Sequence, residues 1–201
     1  MKRIGLLAFV AMILTGPATA SNWVRVAERA VTEFGDHGSS VQHNGTIEYA
    51  FSPREGAEKL VLKVIGSARS EIHMMTYSLT SASVVEALIA ARRRGVEVSI
   101  VADYKNNLVD DRSGKARAAL SALVNAGCRV RTISVYPIHH DKVIVADRET
   151  VETGSFNYSD AAANKNSENV MVVWKNPDLA RGYLAHWQDR FNKGEDYRTN
   201  Y

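Results

Sequence analysis

His140 and Lys142 stand two residues apart at the head of the run HDKVIVADRETVETGSFN, and Ser155 and Asn157 repeat that spacing near its end. Val143-Ile144-Val145 marks the first half as a strand. Side chains two apart on a strand share a face, so His140 and Lys142 are expected to point the same way. The chain then turns through Asp147-Arg148-Glu149 and rises again through TVETG. An imidazole, with an ordinary pKa of about 6.5, is largely neutral at pH 7 and can attack phosphorus directly. A lysine ammonium, with an ordinary pKa of about 10.4, stays charged and donates to non-bridging phosphate oxygens. Its place beside the histidine argues against a metal site, because it would repel a divalent ion. Ser155 and Asn157 add neutral donors for developing negative charge. Glu168, at the head of the next apolar run, can accept the other imidazole N–H and fix its tautomer. The expected chemistry is the holding and attack of a phosphate diester, with no cofactor and no metal. Asp147 stays among the candidate site residues. Its odd spacing from His140 turns it away on an uninterrupted strand, which favours a structural role in the turn.

Alternating strand and helix patterns must position these groups. TIEYAFS alternates as a strand, and a helix is expected from Pro53 to Ser67, with Pro at its start. EIHMMTYSL reads as a strand, and Thr80 or Ser81 can cap the helix SVVEALIAARRRG. VEVSIVAD is a nearly continuous apolar run, as in a sheet covered on both faces. A third helix in DRSGKARAALSALVNAG and a short strand CRVRTI precede the motif hairpin. The loop YSDAAANKNS, the strand ENVMVVW and a last helix from Pro177 to Asn192 follow it. The order implies an α/β fold: a mixed central sheet sandwiched by helices on both faces. The early strand–helix–strand units should be parallel and the motif hairpin antiparallel.

The chain has 201 residues, 45% of them hydrophobic and 23% charged, enough for one filled domain and appendages. Residues 1–20 read as a signal peptide. Lys2 and Arg3 form the basic head, Ile4 to Leu14 the apolar centre, and Ala18-Thr19-Ala20 the cleavage site. That centre is shorter than the about 20 residues that span a bilayer. A mature chain beginning at Ser21 in the periplasm or outside the cell is expected, with an uncleaved anchor as the alternative. Of the 25 basic residues, removing Lys2 and Arg3 leaves 23 against 22 acidic, a charge of +1. Attraction for a polyanion must therefore be local. Residues 21–44 read as an appendage, a short amphipathic helix within 22–34 and then a linker. The domain proper is expected at 45–201.

Cys128, the only cysteine, reads as a small buried hydrophobe. Arg92 to Arg94 are either a phosphate patch or a solvated helix end. Lys105, Arg112, Lys115 and Arg117 surround a polar loop that could rim a substrate site. Met74, Met75 and Tyr77 follow a strand pattern and are expected in the core.

His140, Lys142, Asp147, Gly154, Ser155 and Asn157 together reproduce H-x-K-x4-D-x6-G-S-x-N. Six such identities arise by chance at about 10⁻⁸ per start position. The motif resembles that of the phospholipase D superfamily. PIHHDKVIVAD, VETGSFN, KNSENVMVVW and HWQDRFNKGEDYR extend the similarity to its small exported Nuc-type bacterial endonucleases, over residues 46 to 201. The resemblance implies a phosphohistidine on His140, phosphate held by Lys142 and Asn157 with help from Ser155, and His140 oriented by Glu168. It implies a metal-independent phosphodiesterase acting on DNA and also RNA, with phosphatidylcholine-type lipid as the alternative substrate. A covalent mechanism also needs an acid for the leaving oxygen. His37 and His43 lie in the linker, His73 on a strand, His186 on the last helix, and His139 should face the other way. A homodimer that brings a second His140-Lys142 pair to the same phosphate would supply that acid.

Overall fold

The computed structural model describes residues 41–42 and 45–199. The expected signal peptide, the amphipathic helix within 22–34 and the linker other than Val41 and Gln42 lie outside the described residues. The strands are β1 (Ile47–Ser52), β2 (Glu71–Thr76), β3 (Glu97–Asp103), β4 (Arg129–Ile133), β5 (Lys142–Ala146), β6 (Thr150–Gly154), β7 (Glu168–Val173) and β8 (Glu195–Asp196). The helices are α1 (Ala57–Ser67), α2 (Ala82–Arg93), α3 (Lys115–Asn125), α4 (Asp160–Asn164) and α5 (Pro177–Lys193). A π-helical turn, Lys105–Asp110, follows β3.

Local chemistry sets the helix ends. Ser81 caps α2 by accepting from Val84 N at 3.4 Å, and Asn176 caps α5 ahead of Pro177 by accepting from Leu179 N at 3.0 Å. Gly95 and Gly127, with φ of 93° and 86°, take the left-handed conformation that stops α2 and α3. The expected start of α1 at Pro53 is corrected. The Ser52–Pro53 peptide is cis and Arg54 has φ of 64°, so the chain turns first and the helix begins at Ala57. The expected loop after Asn157 contains the short helix α4, capped by Ser159.

All eight strands form one sheet in the order β1-β7-β6-β5-β2-β3-β4-β8. Crossovers through α2 and α3 make β2, β3 and β4 parallel neighbours. In the β1–α1–β2 unit the two strands run in the same direction, as expected, but they are not neighbours. β1 pairs antiparallel with β7 at the sheet edge, and β7, β6 and β5 lie between it and β2.

The sheet has a core on each face, and residues alternate between them. Met74, Ile100 and Ile144 pack in the core with the buried residues of α1, α2 and α3, whereas Met75, Val101, Val143 and Val145 join Trp187 and Phe191 of α5. Each fully buried side chain of this size is worth about 1.5–3 kcal/mol. This two-sided burial explains the continuous apolar run in β3. Cys128 is buried in the first core, where burial pushes its thiol up to about 11. No helix among the described residues is long and apolar enough to cross a membrane.

Candidate active site

Strand direction gathers the chemistry at one end of the sheet, where β2, β3 and β6 finish and β5 and β7 begin. His140 is exposed at the end of the loop entering β5, with its imidazole edge-to-face against Tyr77 at 4.6 Å between centroids. Lys142 opens β5 and is only 5% exposed. Its Nζ donates to the His140 carbonyl at 2.8 Å and lies 5.3 Å from the Tyr77 ring centre. Burial lowers the Lys142 pKa, and the carboxylates of Asp141 and Glu168 act against that drop. The ammonium is thus held near a negative group without a direct ion pair.

Ser155 joins the same end through a close approach of β6 to β7. A Cβ on Gly154 would stand 2.2 Å from the Asn169 carbonyl oxygen, so only glycine lets the strands meet there. Ser155 N then donates to that carbonyl at 3.1 Å, and Ser155 Oγ donates to Glu168 Oε2 at 2.6 Å. Asn166 Nδ2 donates to Glu168 Oε1 at 3.0 Å. The expected bond from the His140 imidazole to Glu168 is not formed. Both carboxylate oxygens bind Ser155 and Asn166 instead, so Glu168 orders the Gly154–Ser155 corner. Asn157 Oδ1 is buried without a hydrogen-bond partner. Leaving such an acceptor unpaired costs about 1–3 kcal/mol.

Asp147 lies at the other end of β5 from this cluster. Five residues of strand put it about 16 Å from Lys142. Its carboxylate accepts from the backbone N–H groups of Arg69, Ser70 and Glu71 at 2.8–3.1 Å and from Ser70 Oγ at 2.8 Å. Burial would raise its pKa, but these donors outweigh burial and hold it below the usual value. Its inclusion among the candidate site residues is therefore corrected: it is a clamp on the entry to β2. The turn itself has positive φ at Asp147 and Arg148, 53° and 58°, closed by Glu149 N to Ala146 O at 3.1 Å.

The other described histidines make no contact with the His140 ring. His139 is buried and His186 is on α5, and their ring nitrogens lie 3.3 and 3.2 Å from Asp141 Oδ2 on the α5 side. His73 packs against Trp187 at 4.2 Å, with burial lowering its pKa despite Glu71. His37 and His43 lie outside the described residues. Arg92 and Arg94 bond the carbonyls of Gly127 and Ile65 at 3.0 and 3.1 Å, at the sheet end away from the site. That removes the phosphate-patch reading for them. Lys105, Arg112, Lys115 and Arg117 follow the site end of β3, and Arg117 holds the π-helical turn through the Leu108 carbonyl at 2.8 Å.

Three residues near the site went unassigned from the sequence. Tyr77, expected in the core with Met74 and Met75, lies half-buried against His140 instead. Asp103 and Asn107 are buried beside it and bond the surrounding loops. The available signal was position: all three follow or end strands, and ligand sites in α/β sheets gather at carboxyl ends of strands.

Comparison with known proteins agrees with this arrangement. The family model described as cardiolipin synthase, PLD-like domain, matches residues 61–193. The phospholipase D of Rickettsia bellii is 37% identical over 144 residues, 72% of this chain and 68% of that protein. The crystal structure of Nuc from Salmonella typhimurium, a phospholipase D family member, matches with a TM-score of 0.73 and 48% identity. That match covers 77% of this chain and 99% of Nuc. NucT from Helicobacter pylori shares the fold, with a TM-score of 0.65 at 21% identity over 76% of this chain and all of NucT (100%). These matches establish that the chain belongs to the phospholipase D family and is a phosphodiesterase of that superfamily.

Proposed function

We propose that this phosphodiesterase is a metal-independent, non-specific endonuclease that hydrolyses DNA, and also RNA, through a phosphohistidine on His140. The observation that carries the reading is the exposed His140 imidazole and the Lys142 ammonium, both against the Tyr77 ring, at the strand end where Ser155 follows β6. The His140 nitrogen forms a P–N bond as the bond to the leaving oxygen breaks, and that oxygen takes a proton. Water then attacks phosphorus, the P–N bond breaks, and a phosphate monoester leaves. Lys142 and Asn157 hold the non-bridging oxygens, Ser155 assists, and Glu168 orders Ser155. Similarity to Nuc at 48% identity, and to Nuc-type endonucleases in sequence, supports nucleic acid as substrate. Residues 1–20 would direct export to the periplasm or medium.

Among the described residues no other histidine contacts the His140 ring, and in this reading the acid for the leaving oxygen comes from a second copy, in a homodimer with a shared site. A strip of exposed apolar residues supports it. Ile47, Tyr49 and Phe51 of β1, with Tyr49 72% exposed, and Met171 of β7 lie on the sheet face that α5 leaves open. The strip ends at Ser52 and Glu168, next to the site. Tyr49→Lys should give a folded monomer by sedimentation, with cleavage reduced at least about tenfold. A fully active monomer would refute the shared site.

Lipid is the second reading. The Rickettsia relatives are named phospholipase D, and Val135 and Ile138 on the loop leading to His140 are more than half exposed, as a lipid contact would require. Plasmid DNA and phosphatidylcholine vesicles should be offered in parallel with a chelator present. DNA cleavage without choline release supports the endonuclease, and choline release without DNA cleavage overturns it.

A further inference from the structure

Tyr77 is the one aromatic side chain whose ring contacts include both His140 and Lys142 among the described residues. Its ring meets the imidazole edge-to-face, with 62° between the planes, while the Lys142 ammonium stands off the ring at 5.3 Å. The contact follows from register, because Thr76, the last residue of β2, pairs with Lys142, the first of β5. The phenol oxygen makes no hydrogen bond among the described residues, so the ring and not the hydroxyl makes these contacts.

The end of β3 holds both partners. Asn107 Nδ2 donates to the Tyr77 carbonyl at 2.8 Å and to the Asp103 carbonyl at 2.7 Å, and its Oδ1 accepts from Leu79 N at 3.1 Å. Asp103 accepts from His139 N at 2.7 Å with one carboxylate oxygen and from Asn106 N at 2.6 Å with the other. The main chain on the Tyr77 side and on the His140 side is thereby fixed to the same buried pair. An imidazole at an exposed loop end has a broad χ2 preference and would otherwise turn freely. Displacement of a reacting group by about 1 Å can cost about a hundredfold in rate.

We propose that Tyr77 is a positioning residue: its ring fixes the direction of the His140 imidazole and the place of the Lys142 ammonium, with Asp103 and Asn107 as its mounting. The proposal rests on the reading of His140 as nucleophile given above. Tyr77 does not touch the reacting phosphorus. It narrows the set of imidazole orientations so that one nitrogen is presented to it.

The test compares Tyr77→Leu with Tyr77→Phe on bis(p-nitrophenyl) phosphate and on plasmid DNA, alongside proton spectra of the His140 ring. Tyr77→Leu should lower kcat by about 10- to 100-fold with KM changed less than about threefold. Tyr77→Phe should restore the rate to within about threefold, because the ring is what acts. In the wild type the His140 ring protons should be displaced by the Tyr77 ring current, and that displacement should persist in Tyr77→Phe and vanish in Tyr77→Leu. A wild-type rate in Tyr77→Leu, or a Tyr77→Phe variant as slow as Tyr77→Leu, would overturn the proposal. So would undisplaced His140 ring protons in the wild type, a reading that needs no variant to fold. Cleavage that survives in His140→Ala would instead overturn the nucleophile assignment. An inactive His140→Ala beside a fully active Tyr77→Leu would overturn the Tyr77 role alone.

Discussion

The two ends of β5 carry residues of one motif and treat polar groups in opposite ways. At the turn end, Asp147 is saturated: the main chain of Arg69, Ser70 and Glu71 and the Ser70 hydroxyl converge on one carboxylate. At the other end, among the described residues, Lys142 Nζ makes one hydrogen bond, the His140 ring makes none, and Asn157 Oδ1 is buried without a partner. A polar group with all its partners in place is committed to the fold. One left short of partners keeps interaction capacity for a substrate and weakens the fold to do so. The contrast teaches which residues of a motif hold structure and which remain available for chemistry.

The widest separation should come from paired substitutions at the two ends. His140→Ala should lower phosphodiester cleavage by at least about 10³-fold with an unchanged melting temperature. Asp147→Ala should do the reverse, costing about 1–3 kcal/mol in chemical denaturation with cleavage within about threefold of wild type. If Asp147→Ala kept its stability and lost its activity, the comparison would break. Asn157→Ala should lower kcat by about 10²-fold while the protein gains or keeps stability, since it removes an unpaired buried oxygen. Loss of melting temperature in that variant would show the amide to be structural.

Gly154→Ala tests the corner between the two sets. The methyl would collide with the Asn169 carbonyl, so a loss of about 1–3 kcal/mol is expected together with reduced cleavage, as Ser155 shifts with the strand. Acid sharpens the assignment of Asp147. Its folded pKa lies below the ordinary value, so its contribution is full above the unfolded pKa and is lost as pH falls through the folded one. The stability gap between Asp147→Asn and wild type should therefore close below about pH 4, measured by urea midpoints.

Glu152 gives an effect of the opposite sign. It is wholly buried in β6 with Tyr158 Oη donating to it at 2.8 Å, and burial raises its pKa from 4.5 to about 8. The folded state then holds a proton that the unfolded state releases. Between about pH 4.5 and 8 the wild type should lose stability as pH rises, by up to about 1.4 kcal/mol per unit. Glu152→Gln should flatten that slope, and parallel stability curves for the two proteins would show that Glu152 is ionised when folded.

Much of this architecture was readable along the chain. The hairpin, the cap at Ser81 and the helix stops at Gly95 and Gly127 depend on neighbours within a few residues, which a linear reading contains. The two-sided burial of β3 was visible in its apolar run. Pro53 misled because a helix-start proline and a turn proline look alike locally, and Tyr77 because strand alternation does not continue past the strand end.

By itself, the sequence determined that a histidine, a lysine, a serine and an asparagine would share one hairpin, and that a phosphate diester suits them. Tertiary structure decided the partners. Asp147 meets a segment 76 to 78 residues earlier, His139 meets Asp103 from 36 residues away, and Glu168 binds Ser155 across 13. Those contacts depend on strand order, with β5 between β2 and β6, and β1 carried to the edge beside β7. Periodicity and capping are local energies written in adjacent residues. Strand order emerges only when every apolar face must be buried at once, and it left His140 at the surface with Tyr77 beside it.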